Sequence, residues 1–220
     1  MKAERLERAL GHGFQQPELL REALTHRSYG TPNNERLEFL GDGLLNCVVA
    51  TFLFDRFPGQ REGQLSRLRA HLVRQDALHA IAMRLDLGSH LLLGEGELRS
   101  GGASRPSILA DALEAVLGAV YLDGGFAEVT KVLRDLYAPV LADLDPSAGL
   151  DPKTALQEVL QGRKLPLPQY VLKSVSGDAH AQQFLVECQV PVLRLAATGH
   201  GGSRRAAEQS AAGKVLEQLA

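Results

Sequence analysis

NNERLEFLGDGLLNCVVATFLFDRF, residues 33–57, repeats apolar side chains at intervals of three and four, without the alternation of a half-buried strand. It is a helix. With Glu35 set at zero and a turn of about 100° per residue, Glu38 falls near 300° and Asp42 near 340°, so three carboxylates share one face. Leu37, Leu40, Leu44 and Val48 project at roughly 140° to 220°, which places the acidic stripe away from the expected core stripe. Like charges at this spacing are mildly destabilising. A solvated acidic face is the ordinary explanation, but Phe39, near 40°, lies on the acidic side, where a solvent face has no use for it. Something should cover that ring.

The same period extends outward through LERAL, LREAL, GQLSRLRAHLVRQDALHAIAMRL and PSILADALEAVLGAVYL, interrupted by FPGQREG, DLGSH and RSGGASRP. Residues 1–144 therefore read as an all-α domain. DLDPSAGLDPK, with two prolines and a glycine, has linker composition, and the linker is placed at residues 145–151. From 152 to 220 the order is helix (TALQEVLQGR), three β-like runs (PQYVLKSVS, QQFLVECQV, VLRLAATGH) and helix (SRRAAEQSAAGKVLEQLA), a small α+β domain of αβββα order.

Composition narrows the function classes. Of the 220 residues 45% are apolar and 23% charged, an ordinary globular balance. The N-terminus lacks the apolar core of a secretory signal and no apolar run is expected to span a membrane, so the expectation is a cytoplasmic protein without a membrane partner. Cys47 and Cys188 lie too far apart for a disulfide framework or a thiolate metal site and read as small buried residues. The overall charge of −2 gives no hint of a nucleic-acid partner, but residues 1–150 carry a net −4 and residues 151–220 a net +2, so the two parts differ in kind.

Ile108 to Leu122 is apolar almost all round, with Asp111 and Glu114 its only charges. A carboxylate in such a helix must be protonated, paired with a base or neutralised by a cation. Arg36, Arg67 or Arg69 could fold over it as partners. Alternatively, Glu38 and Asp42 on one helix and Asp111 and Glu114 on another form an all-oxygen cluster suited to Mg²⁺ or Mn²⁺, a type that supports phosphodiester hydrolysis.

NNERLEFLGDGLL resembles the signature segment of the ribonuclease III family, and SGGASRPSILADALEAVLGAVYLDGG resembles its second acidic segment. The C-terminal part is similar to the double-stranded-RNA-binding domain that follows in bacterial members. The resemblance implies a homodimeric, Mg²⁺-dependent endoribonuclease (Mn²⁺ able to substitute) that cuts double-stranded RNA to leave 5′-phosphate and 3′-hydroxyl ends, with ribosomal RNA precursors and other transcripts as family-level targets. It places the metal ligands at Glu38, Asp111 and Glu114, the catalytic residues at Asp42 and Glu114, a supporting acid at Glu35 and a dimer-interface aromatic at Phe39. It assigns RNA contacts to Thr154, Gln157, Glu158, His180, Arg204 and Arg205. Arg204 and Arg205 also have a physical argument, since cations at a helix start oppose the macrodipole unless an anion binds there.

Gly43 and Ala206 depart from residues common in the family, Ser or Ala and Lys respectively, the second implying a weaker RNA grip. Pro106 suits the first turn of a helix. THRS, residues 25–28, recurs in the family but is expected to cap and pack, with no catalytic part. The rivals are a relative that binds double-stranded RNA without cutting it, and a helical phosphohydrolase acting on nucleotides. Retention of all four carboxylates argues against the first, and the absence of clustered histidines against the second.

Overall fold

The structure, a computed structural model, describes residues 2–142, 144, 151–177 and 182–219. The expected linker, apart from Asp151, and His180 lie outside the described residues. The chain divides into two compact units, Met1–Ala148 and Gly149–Ala220.

The first unit is helical: α1 (Lys2–Leu10), α2 (Pro17–Ala23), α3 (Glu35–Arg56), α4 (Glu62–Leu72), α5 (Gln75–Arg84), α6 (Glu95–Arg99) and α7 (Pro106–Ala142), with 3-10 turns at Leu87–His90 and Gly102–Ser104. Its core is built on α3 and α7. Leu37, Leu45, Val48, Val49 and Leu53 of α3 and Leu109, Leu113, Val116, Leu117 and Val120 of α7 are all buried. Replacing one of these leucines by alanine costs about 2–5 kcal/mol. α7 starts on Pro106 and bends at Gly125, whose φ of 80° suits glycine.

Two glycines set the approach of these helices. A Cβ on Gly41 would overlap the backbone carbonyl of Glu114, and one on Gly118 would overlap that of Leu37. This close packing corrects the expected orientation of α3. Its buried side runs through Leu37, Gly41, Leu45, Val48 and Val49, while Leu40 and Leu44 are only half-buried. On the wheel this arc covers about 200° to 320° and contains Glu38. The acidic stripe borders the core instead of facing away from it.

Two further expectations change. Cys188 is buried but Cys47 is exposed, because it lies outside the arc packed on α7. α3 has 22 residues and includes an 18-residue stretch of mean hydropathy 1.6, long and apolar enough by those two measures to cross a membrane. Helices at the core of globular domains share these properties, and α3 carries Glu38 in its first turn, half-buried beside the side packed on α7.

The second unit contains α8 (Pro152–Gly162), β1 (Gln169–Ser176), β2 (Gln183–Val190), β3 (Leu195–Gly201) and α9 (Arg204–Leu219). The sheet is antiparallel in the order β1-β2-β3. Val186, Cys188 and Val190 alternate onto its inner face and are buried, as are Leu156 and Leu160 of α8 and Ala211, Ala212 and Val215 of α9. Asp151 caps α8, accepting from the amides of Lys153 (3.0 Å) and Thr154 (3.2 Å). VLRLAATGH is not strand throughout: Pro191–Leu193 forms a 3-10 turn and Arg194 turns left-handed at φ 54° before β3 begins. The architecture is thus an all-α domain followed by an αβββα domain.

Candidate active site

Glu38 on α3 and Asp111 and Glu114 on α7 each offer a carboxylate oxygen, and these atoms lie within 4.8 Å of one another. All three side chains are half-buried. Asp42, one turn beyond Glu38, stands at the exposed rim, where Asn46 donates to its Oδ1 (2.8 Å). It is outside the inner trio but near enough to act on Glu114.

The cluster is short of positive charge. Burial, and then repulsion from Asp42, Glu38 and Asp111, push the Glu114 carboxyl up to about 8. Burial likewise raises Glu38, with Asp111, Glu35 and Asp42 adding to the shift and Arg27 opposing it. Asp111 is raised by burial against the lowering influence of His26 and Arg27. Among the described residues, the basic side chains seen to act on Glu38 and Asp111 are His26 and Arg27 of the THRS segment. Thr25 does anchor that segment, donating to the Arg21 carbonyl (2.7 Å) and bridging to Leu92. The same anchoring carries His26 and Arg27 to the acids, a placement that no local pattern announces.

A cavity of about 370 Å³ lies against Glu38 and Asp111, lined also by Asn34, His26, Arg27 and Arg105. Arg27 pairs with the exposed Glu35 (3.4 Å) and Arg105 pairs with Glu97. Three oxygen donors with uncompensated charge, next to an open polar cavity, fit a hard divalent cation.

Phe39 is 84% exposed. Elsewhere on the same unit, Cys47, Phe54 and Leu65 help line a mainly apolar groove of about 720 Å³ between α3 and α4.

In the second unit the N-terminal ends of α8 and α9 lie together. Glu208 of α9 is buried and pairs with Lys153 of α8 as well as with Arg204 (3.0 Å). Lys153 also lies over the Tyr170 ring. Against the opposing effect of burial, hydrogen bonds from Thr154 and the Lys153 amide hold the Asp151 carboxyl down, with the exposed Arg205 adding to the lowering. Thr154, Arg204 and Arg205 thus occupy one end of the domain. Gln157 is exposed and Glu158 half-buried along α8. Arg204 has an intramolecular carboxylate, which the doublet of arginines did not suggest.

Residues 16–141 match the family model described as Ribonuclease-III-like, and residues 152–219 match the double-stranded RNA binding motif. The chain is 63% identical over 219 residues to "Ribonuclease 3" of Aromatoleum aromaticum, covering 99% of this chain and 97% of that one. It is 59% identical over 216 residues to "Ribonuclease 3" of Thiobacillus denitrificans, covering 98% and 96%. Among solved structures, the ribonuclease III nuclease domain of Campylobacter jejuni, described for flexibility in its dimer-forming region, aligns with a TM-score of 0.61 and 44% identity, covering 62% of this chain and 96% of that one. The chain belongs to the ribonuclease III family, joining that family's nuclease domain to a double-stranded RNA binding motif.

Proposed function

We propose that this chain is a homodimeric endoribonuclease that hydrolyses both strands of double-stranded RNA with the help of Mg²⁺, or Mn²⁺ in its place, leaving 5′-phosphate and 3′-hydroxyl ends. The observation that carries the reading is the trio Glu38, Asp111 and Glu114, whose carboxylate oxygens gather within 4.8 Å, with burial and the neighbouring acids raising Glu114 to about 8. Such an arrangement is costly unless a cation completes it. When bound, a divalent cation supplies Lewis acidity toward a phosphate oxygen and a more acidic water.

In this reading Glu38, Asp111 and Glu114 hold the cation. Asp42 and Glu114 are the catalytic carboxylates that orient the attacking water and take up its proton. Glu35 keeps Arg27 at the mouth of the cavity. Two symmetry-related sites suit the two antiparallel strands of a duplex, and Phe39 of each subunit enters the α3–α4 groove of its partner. Thr154, Gln157, Glu158 and His180 meet the minor groove, where 2′-hydroxyls mark A-form RNA. Arg204 and Arg205 meet phosphate. The nuclease domain takes residues 1–144, the linker 145–151 and the RNA-binding domain 152–220. Processing of ribosomal RNA precursors and other transcripts in the cytoplasm is the role that fits.

Glu114→Gln tests the assignment: cleavage of a long duplex should be abolished while metal-free duplex binding in a gel shift stays within about twofold. Wild-type cleavage by this variant would remove Glu114 from the site. Loss of binding with loss of cleavage would mean that the substitution damages the fold.

A further inference from the structure

Asn34 occupies the N-cap position of α3, where an asparagine ordinarily accepts a hydrogen bond from the first turn. Here it makes no side-chain cap. Its neighbour Asn33 performs that task, accepting from the Glu35 amide (3.1 Å). The Asn34 backbone is fixed at both ends, its amide donating to Thr25 O (2.9 Å) and its carbonyl accepting from Glu38 N (2.8 Å). The residue is 3% exposed, and it lines the cavity beside Glu38 and Asp111. Among the described residues its carboxamide has no hydrogen-bond partner. Its polar atoms are not sealed from solvent, as the Tyr170 hydroxyl is, so the carboxamide is left to whatever fills the cavity it lines.

The other lining groups indicate what that is. Arg27 and Arg105 each have a carboxylate partner, Glu35 and Glu97. His26 directs Nδ1 at Ser28, 2.8 Å from its Oγ. Among the described residues Glu38 and Asp111 have no ion-pair partner of their own and are only partly offset by Arg27 and His26, so the cavity favours a cation with its water over a free anion. Mg²⁺ is held through few carboxylates and keeps several waters. At about 30 Å³ per water, a cavity of about 370 Å³ has room for a hydrated ion. Water on a cation is a strong donor, and an asparagine oxygen is an acceptor.

We propose that Asn34 is a positioning residue for the divalent cation, its carboxamide oxygen accepting a hydrogen bond from water in the cation's shell on the side of Glu38 and Asp111. The inference rests on the cation reading above and adds to the three carboxylates a neutral residue outside direct coordination. Groups in this position commonly change metal affinity tenfold or more when removed.

The test is direct binding of Mn²⁺ to the full-length protein, with free ion followed by electron paramagnetic resonance. Wild type is compared with Glu114→Gln, Asn34→Leu and Asn34→Asp. Asn34→Leu should weaken binding about tenfold, while Asn34→Asp, which keeps the shape and the acceptor, should bind at least as tightly as wild type. A residue important only for packing would not separate these variants in this way. Should leucine prevent folding, Asn34→Val carries the same comparison. Wild-type affinity in Asn34→Leu, or equal weakening in Asn34→Asp, would overturn the role of Asn34 alone. Equal Mn²⁺ occupancy in wild type and Glu114→Gln would remove the cation reading, and the role of Asn34 with it.

Discussion

Glu114→Gln should make the metal-free protein more stable, and the gain should depend on pH. With its pKa raised from 4.5 to about 8, Glu114 keeps a proton in the folded protein that the unfolded chain has already released. Between those values the unfolded state binds fewer protons, so stability falls as pH rises from 4.5 to about 8 and the cost is complete above that. At pH 7 the unscreened cost is about 3 kcal/mol, at about 1.4 kcal/mol per pH unit. Solvent reaching this half-buried group reduces it to about 1.5–2 kcal/mol. Glutamine mimics the protonated acid and avoids the cost, which corresponds to a Tm increase of about 4–8 °C at pH 7. The assay is thermal unfolding in EDTA from pH 5 to pH 8.5, repeated with Mg²⁺. The gap between variant and wild type should be small at pH 5, open toward pH 8, and close or reverse when Mg²⁺ stabilises the wild type. A variant no more stable than wild type at pH 7, or a gap equal at pH 5 and pH 8, would refute the charge account of the site.

Phe39→Ala removes a ring that is 84% exposed in the single chain. If that ring fills a partner's groove, two copies lost per dimer cost about 3–6 kcal/mol; sedimentation should then show the dimer Kd rising at least a hundredfold, and an unchanged Kd would place the interface elsewhere. Arg205→Ala should reduce the salt slope of duplex binding by about one. Arg204→Ala should reduce it less, because Glu208 already holds that guanidinium; equal effects in gel shifts across a salt series would contradict this ranking. Gly41→Ala drives a methyl into the Glu114 carbonyl, with an expected loss of about 3 kcal/mol. Denaturant unfolding with unchanged stability would show that the helices can separate freely there.

The helices and strands were legible because their periodicities are local. The four carboxylates were legible as well: α7 is so apolar that Asp111 and Glu114 stand out, and Glu38 and Asp42 repeat at helical spacing. The facing of α3 was not. Hydrophobicity alone favoured Leu40 and Leu44 as core positions, whereas Gly41 and Gly118 set the contact by their lack of side chains, and this depends on where the partner helix runs. The lining of the cavity was also hidden. His26 and Arg27 sit on an irregular segment positioned by Leu92, and Arg105 precedes α7. Asn34 was not singled out in the sequence, since nothing local shows that Asn33 caps the Glu35 amide and leaves the Asn34 carboxamide to the cavity.

The central claim is that the carboxylate trio works through a cation on double-stranded RNA. The most direct test is to incubate the purified protein with a long RNA duplex, with and without Mg²⁺, and to resolve both strands on a denaturing gel. Cleavage of both strands that requires Mg²⁺ is the expected result. RNA that is bound but left intact in Mg²⁺ and in Mn²⁺ would contradict the account and leave a protein that holds duplex RNA without cutting it.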